Sequence, residues 1–408
     1  MFEKSELIID MHIDGKRITH FLSFDLKQRF NAHHVFELRL EHGKLGIPGL
    51  INLDESRDFV GRRLAISFGY KGEDMNNFVG IITHVGLIQS HGFQGVLMIQ
   101  GYSPTILIDR GADLGSYYQQ TLSSIVDLAC TGVDRKALEL KVAAARSTPI
   151  DYILQYKESD FDFLNRLSAA YYEWFYYDGE RLHFGRPADR PTATLTYGRE
   201  VKLLEYGMYI LPVNQHVFSY MPQADDLLID AVSPTTKGHP DQTFAINRSS
   251  EIYKKTYNQQ AEIRMESFHD LKILVEAQEE ASIGELLVVR GESDSPQLRI
   301  GSDIQLNTSL RQEMNFVTDS LGKFLIREVD HYIDANGRYQ NSFSGILSST
   351  ERLHVGEYKQ PQADMQMADV MDNNDPQGQG RVRVQFKWHC SNNDVSAWLR
   401  VVSPNDGS

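Results

Sequence analysis

Apolar and polar residues alternate along most of the first hundred positions. Leu7 to Asp14 alternates roughly, and Gly15-Lys16 supplies a turn into Ile18 to Leu26, the pattern of a hairpin. Strand-like runs follow at Val35 to Leu40, Arg63 to Phe68, Phe78 to Val85 and Val96 to Gln100. Turn residues separate them at Gly43, Pro48-Gly49, Gly72 and His91-Gly92. Short strands at regular spacing predict an antiparallel sandwich or barrel, closed by Tyr102 to Gly111. The period then changes. Leu122, Ile125, Val126 and Ala129 recur at helical spacing, and Thr121 stands where its hydroxyl caps the helix start.

The next block runs from Ile153 to Tyr177. A strand ends at Tyr156, Ser159 caps a helix, and Asp160 and Asp162 occupy its positive first turn. Leu164, Leu167, Tyr171 and Trp174 are expected on one helical face. Asp178-Gly179 turns into a short strand at Arg181 to Phe184, and strands return over Thr196 to Val217. Met221 to Ser250, polar and punctuated by Pro222, Pro234, Gly238 and Pro240, reads as an exposed excursion. Ala261 to Leu287 suits a helix through Ile273, Leu274, Ala277 and Ala281. Gly301 opens another group of strands, Ile304 to Leu306, Lys323 to Ile333 and Tyr339 to Leu347, with Asn336-Gly337 signalling a type I′ turn. Glu357 to Gln366 reads as a linker.

Near the end, Asp372 to Pro376 with Gly378 and Gly380 is dense in turn formers. Val382, Val384, Phe386 and Trp388 then alternate with Arg383, Gln385 and Lys387, placing the large apolar groups on one strand face. Trp398, Leu399, Val401 and Val402 predict a third, more apolar strand. Three short strands with Gly-rich turns predict a small antiparallel barrel.

Charge narrows the partners. Lys and Arg number 41 against 55 Asp and Glu, a formal charge of -14. A diffuse acidic surface repels phosphate backbones, so nucleic acid is not an expected partner. Arg381, Arg383 and Lys387 read as a solvated strand face. Cys130 and Cys390 are too few for a disulfide framework and suit a reducing cytoplasm. Met1 to Asp10 has no apolar core of a signal peptide, and no apolar run approaches membrane-spanning length. Capping explains Asp160 and Asp162 without acid–base chemistry. His33-His34 reads as surface-loop histidines and His331 as a cross-strand neighbour. Nucleophile-elbow, P-loop, zincin and dinucleotide motifs are not found, so no catalytic residue, cofactor or metal ligand is assigned.

Four stretches carry a family resemblance: Phe78 to Thr83, Tyr156 to Leu167, Phe324 to Phe343, and the run from Asp372-Asn373-Asn374-Asp375-Pro376 through Gly380 to Trp388 and Trp398 to Pro404. They resemble the VgrG-type spike proteins of type VI secretion, similar to the tail hub and spike of contractile phages, and the three terminal blocks stand in that family's order and at its short spacing. The resemblance implies a mainly β (α+β) fold: two hub β-barrels with connecting helices, then an OB-fold barrel. Residues 1–110 would form the first barrel, 111–300 the connecting α/β part, 301–358 elements of the second barrel, and 363–408 the start of the OB barrel. The motif residues carried over are architectural: Ser159, Asp160, Asp162, Phe163, Leu164, Arg166, Leu167, Asp375, Pro376, Gly380, Val382, Val384, Phe386, Trp388, Trp398 and Leu399. The implied role is a non-enzymatic hub coupling an inner tube to a membrane-piercing needle and delivering effectors. The implied partners are two further copies in a homotrimer, a ring of tube protein, baseplate proteins, a needle-tip protein and effectors. The implied place is the cytoplasm before assembly and the medium or target cell after export. A baseplate hub of a phage tail or extracellular phage-like particle is the alternative; a cell-wall hydrolase and a glycan- or nucleic-acid-binding module stand behind it. Gly101 to Leu107 departs from the Trp-rich stretch of many relatives, and the sequence stops at Ser408 where further strands and a needle are expected.

Overall fold

The computed structural model describes residues 6–42, 56–90, 94–221, 224–232, 238–312, 315–356 and 358–402. Strands β1 (Leu7–Ile13), β2 (Lys16–Arg17), β3 (Ser23–Arg29), β4 (Val35–Glu41), β5 (Arg63–Tyr70), β6 (Asn76–Ser90) and β7 (Gln94–Tyr102) follow in order. They pair antiparallel as β3-β4-β7-β6-β5-β1-β2, the first barrel. Asp14 and Gly15 both take positive φ, as a type I′ turn between β1 and β2 requires. The expected run from Ile18 to Leu26 is broken. β2 is two residues long, and the chain then leaves β1 so that β3 pairs with β4 instead. Gly43, Pro48-Gly49 and His91-Gly92 lie outside the described residues; Gly72 does turn, at φ +88.

Crowding near the end of β7 holds position 101 to glycine. A Cβ there would stand 2.0 Å from the Ile81 carbonyl and 2.6 Å from the Phe36 ring. Gly101→Ala is expected to cost roughly 1–3 kcal/mol, read as a lower melting temperature. Pro104–Ile108 then forms a 3-10 turn with its proline at the start.

The connecting part holds β8 (Asp113–Gln120), α1 (Leu122–Ala129), β9 (Glu139–Ala143), β10 (Ile150–Glu158), α2 (Asp160–Tyr171), β11 (Phe175–Tyr177) and β12 (Arg181–Gly185). Thr121 caps α1 as expected, its hydroxyl accepting from Ser124 N–H at 3.2 Å. β10 pairs with β8, and β11-β12-β9 form a small mixed sheet. Trp174 is not on the α2 face with Leu164, Leu167 and Tyr171. Tyr172 adopts a left-handed conformation, φ +55, that ends the helix, and Trp174 turns into the second core.

Further on come β13 (Thr192–Tyr197), β14 (Val201–Met208), β15 (Gln215–Met221), β16 (Asp226–Val232), α3 (Pro240–Ile252), β17 (Tyr257–Gln260) and α4 (Phe268–Gly284). The polar stretch from Met221 is exposed over much of its described length, yet it holds regular elements, β16 and α3. β16 pairs with β15, and Pro240, read as a breaker, is the first residue of α3, where a missing N–H costs nothing. Pro222 and Pro234 lie outside the described residues. α4 buries Leu274, Ala277 and Ala281, but Ile273 points outward at 38% exposure.

The second barrel comprises β13, β14, β18 (Leu287–Ser293), β19 (Asp303–Gln312), β20 (Asn315–Asp334) and β21 (Tyr339–Leu347). Its order, β19-β13-β14-β18-β21-β20, closes because β19 also pairs with β20. Leu195, Val289, Ile304, Phe324, Val329 and Phe343 fill it. Only Gly337 of the Asn336-Gly337 pair takes positive φ, so the turn is not type I′. Asp334 makes it instead: its carboxylate accepts from Asn336 and Arg338 N–H at 2.8 and 2.9 Å.

β20 belongs to both barrels. Its first half pairs with β19, and beyond a bulge between Ile326 and Glu328 its second half, Glu328 to Asp334, pairs with β3. A buried polar chain crosses this seam. His331 contacts Tyr339 Oη at 2.6 Å and Gln28 Oε1 at 3.0 Å, and Gln28 Nε2 reaches His34 Nδ1 at 3.1 Å. Both barrels are thereby welded into one thirteen-stranded sheet.

Candidate functional site: the junction with the terminal barrel

The block from Tyr156 to Leu167 is a strand, a bulge and a capped helix. Lys157 takes φ +51, and the β10–β8 register slips there, which turns Glu158 inward. The Glu158 carboxylate, 2% exposed, accepts from Arg166 Nη2 at 2.5 Å and Nε at 3.0 Å. Ser159 caps α2 through Asp162 N–H at 3.1 Å. Asp160 does more than complement the helix dipole. It is buried and bonded by Arg110 at 2.5 Å and Gln155 at 2.9 Å, tying the turn after Ile108 to α2. Asp162 is half-buried in the first turn. Phe163 stacks on Tyr117 with ring centres 5.5 Å apart, and Leu164 and Leu167 are fully buried. These seven motif residues meet around one helix.

The terminal motif is a second clamp. β22 (Ala368–Asp372) and β23 (Arg383–Phe386) pair antiparallel, and the loop between them is gathered by Asp375. Its carboxylate accepts from the N–H groups of Gln377 and Gln379 at 3.0 and 2.9 Å and from Arg381 through Nη2 at 2.7 Å and Nε at 2.9 Å. The Arg381 hydrogen bonds hold this carboxyl far below the usual carboxylate range. Arg381 is thus an internal strut, not a solvated face. Pro376 and Gly380 are exposed, and Gly378 and Gly380 supply the positive φ the loop needs. Asp375→Asn is expected to speed amide exchange at Gln377, Gln379 and Arg381 about tenfold, with the barrels upstream unchanged.

Two expectations about this barrel fail in part. Residues 382–386 are half-buried on both faces, because Arg383 packs over Tyr118 at 4.3 Å while Phe386 stacks on Trp388 at 4.3 Å. Trp398 to Val402 forms no strand: only Leu399 bridges, to Val382, and Val401 and Val402 are exposed. Trp398 is half-buried under the Arg381 guanidinium, 5.9 Å from its ring centre.

Two seams dock this barrel onto the connecting part. At the first, Ser116 of β8 donates its N–H to Asn392 O at 3.0 Å and accepts from Asp394 N–H at 3.2 Å, while Tyr118 N–H donates to Asp394 Oδ2 at 2.9 Å. At the second, Lys157 reaches Asp364 at 2.5 Å, and Gln366 bridges Tyr156 Oη at 2.7 Å and Trp388 Nε1 at 3.1 Å. Tyr156 and Trp388 rings lie 6.0 Å apart, the place where the two motifs approach each other. Sequence reading missed Arg110, Ser116, Asp394 and Gln366. Only the turn-forming run Asn392-Asn393-Asp394 carried a local signal, and it named no partner. His34 is not a surface residue but fully buried against Gln28, His33 contacts Thr105 at 2.7 Å, and no group of metal-binding side chains occurs among the described residues.

Barrels sharing a strand, with buried ion pairs spent on holding elements together, define a structural hub. The chain belongs to the phage tail baseplate hub (GPD) family, whose profile matches residues 51–337. A type VI secretion system/phage-baseplate injector OB domain matches residues 366–408. Among solved structures, a tail protein from Neisseria meningitidis is similar over 85% of this chain and 98% of its own, at 12% identity and a TM-score of 0.59. An E. coli type VI secretion component, described as similar to the T4 tail proteins gp27 and gp5, covers 92% and 89% at 15% identity and 0.60. One chain of a Francisella PdpA–VgrG complex is similar over 99% of this chain and 74% of its own at 10% identity and 0.56. These likenesses show the fold. No curated protein sequence matches.

Proposed function

We propose that this chain, as a homotrimer, couples the inner tube of a contractile injection machine to a membrane-piercing needle. The observation that carries the reading is the double seam: a terminal barrel fastened to both β8 and β10 moves with the hub as one body. Its partners are then a ring of tube protein, baseplate proteins, a needle-tip protein and effectors that travel with it. It waits in the cytoplasm and leaves with the needle. The division at about 110, 300 and 358–363 follows from the resemblance, with β13, β14 and β18 added to the second barrel. The motif residues act as fasteners. A non-catalytic role is supported by the state of the buried carboxylates, since Glu158, Asp160 and Asp375 are each held by an arginine.

Light scattering on the natural full-length protein is expected to give a trimer mass, and a monomer at high concentration would overturn the reading. The family's own description as a phage tail hub favours a second setting, a phage tail or extracellular phage-like particle. Sheathed particles in the medium containing this chain would select it. Labelled peptidoglycan cleaved by the purified chain would instead make it a hydrolase.

A further inference from the structure

Among the described residues, β10 has one open edge. Ser116 and Tyr118 of β8 direct their backbone groups toward residues 392–394, away from β10. Residues directly opposite in an antiparallel pair either exchange bonds or both turn outward. Leu154, opposite Ser116, and Tyr152, opposite Tyr118, therefore present their backbone groups on the far side of β10. Two of those groups are capped. Leu154 O accepts from Arg166 at 2.6 Å, and Tyr156 N–H donates to Glu158 at 3.3 Å. The Tyr152 N–H, the Tyr152 carbonyl and the Leu154 N–H have no partner among the described residues, and the sheet has no third strand there. A donor, an acceptor and a donor in line, some 6–7 Å from end residue to end residue, are what an added strand reads.

The edge borders a cavity of 590 Å³. Ile150 and Ile153 border it, with Ile263, Pro361, Phe386 and Trp388 around it. Its volume falls within the ~300–1,000 Å³ of ordinary binding sites. Most rim charges are spent: Arg264 holds Asp151 at 3.1 Å, Arg146 meets Asp270 at 3.4 Å and Arg166 holds Glu158. Glu266 has no ion pair among the described residues, and partial burial pushes its carboxyl up. A cation placed there would relieve that cost.

We propose that this groove takes an extended segment of a partner polypeptide as a third strand on β10. Aliphatic side chains at alternate positions fill the cavity, and a Lys or Arg near one end pairs with Glu266. The Arg166 and Glu158 caps limit the ladder to a few residues. Backbone bonds supply affinity and the apolar lining supplies selection. The inference goes beyond the hub reading and does not rest on it.

The probe is the peptide acetyl-Lys-Val-Thr-Val-Thr-Val-amide, added to the 408-residue protein at millimolar concentration while amide exchange is followed. Exchange at Tyr152 and Leu154 is expected to slow about tenfold. The same peptide N-methylated at alternate residues should have no effect. Glu266→Gln should weaken binding about threefold, the scale of a rim ion pair. Ala363→Arg, at an exposed position of the cavity lining, should abolish binding while the melting temperature stays near that of the parent. Slow exchange at both amides without peptide would overturn the proposal, as would exchange that millimolar peptide leaves unchanged. Protection that rises only with protein concentration would also overturn it, making a second copy the occupant.

Discussion

Replacing Arg166 by alanine is expected to lower the unfolding free energy by about 3–5 kcal/mol, measured by urea titration. The reason is what remains. Glu158 is 2% exposed and would be left buried with no cation beside it. The same guanidinium also satisfies Leu154 O and lies over the Phe163 ring at 5.2 Å, so bond and packing vanish together. Arg166→Lys should fall between, because an ammonium cannot present the paired donors that Glu158 accepts. Glu158→Leu with Arg166→Met should recover part of the loss, since it removes the stranded charge. A loss below about 1 kcal/mol for Arg166→Ala would mean that water reaches Glu158 and that the block is not a fastener.

Lowering the pH from 7 to 4.5 is expected to remove about 5 kcal/mol of stability through two histidines. Burial lowers His34 and His331 from 6.5 to about 3. The unfolded chain therefore takes up protons first as pH falls. Their contribution is whole above about 6.5 and is lost progressively down to about 3, at up to about 1.4 kcal/mol per pH unit for each ring. Geometry gives the penalty its cause. The two ring nitrogens of His331 are engaged by Tyr339 Oη and Gln28 Oε1, an arrangement suited to a single ring proton. Denaturant midpoints taken at several pH values test this. His34→Gln or His331→Gln should each reduce the dependence by about half, and a midpoint flat between pH 6.5 and 4.5 would refute the account.

How much of this was legible depended on distance along the chain. Ser159, Asp160 and the apolar spacing of Phe163, Leu164 and Leu167 spelled a capped helix, because a cap and its helix are neighbours in sequence. Arg110 was silent. Nothing in its surroundings says that it meets Asp160, 50 residues away. Alternation in Lys323 to Ile333 revealed a strand and its faces, since side chains alternate with a period of two. Alternation cannot say which strands lie beside it, so the passage of β20 between two barrels was not visible. The helix at Pro240 was missed for a different reason: proline signals a break and a first helical turn alike. Trp398 to Val402 has strand-like side chains, yet a strand needs a neighbour, and only Leu399 finds one.

The shared strand also sets a timetable for synthesis. Arg29 on β3 and Asp330 on β20 are joined by a two-point ion pair across 301 residues of chain. At ~5–20 residues per second, a ribosome needs roughly 15–60 s to bring the second after the first. Throughout that interval the nascent β3 has its β20-facing edge uncovered, a surface that invites pairing with other chains. Completion of the first barrel is thus an event of the finished polypeptide, held back until β20 has left the ribosome.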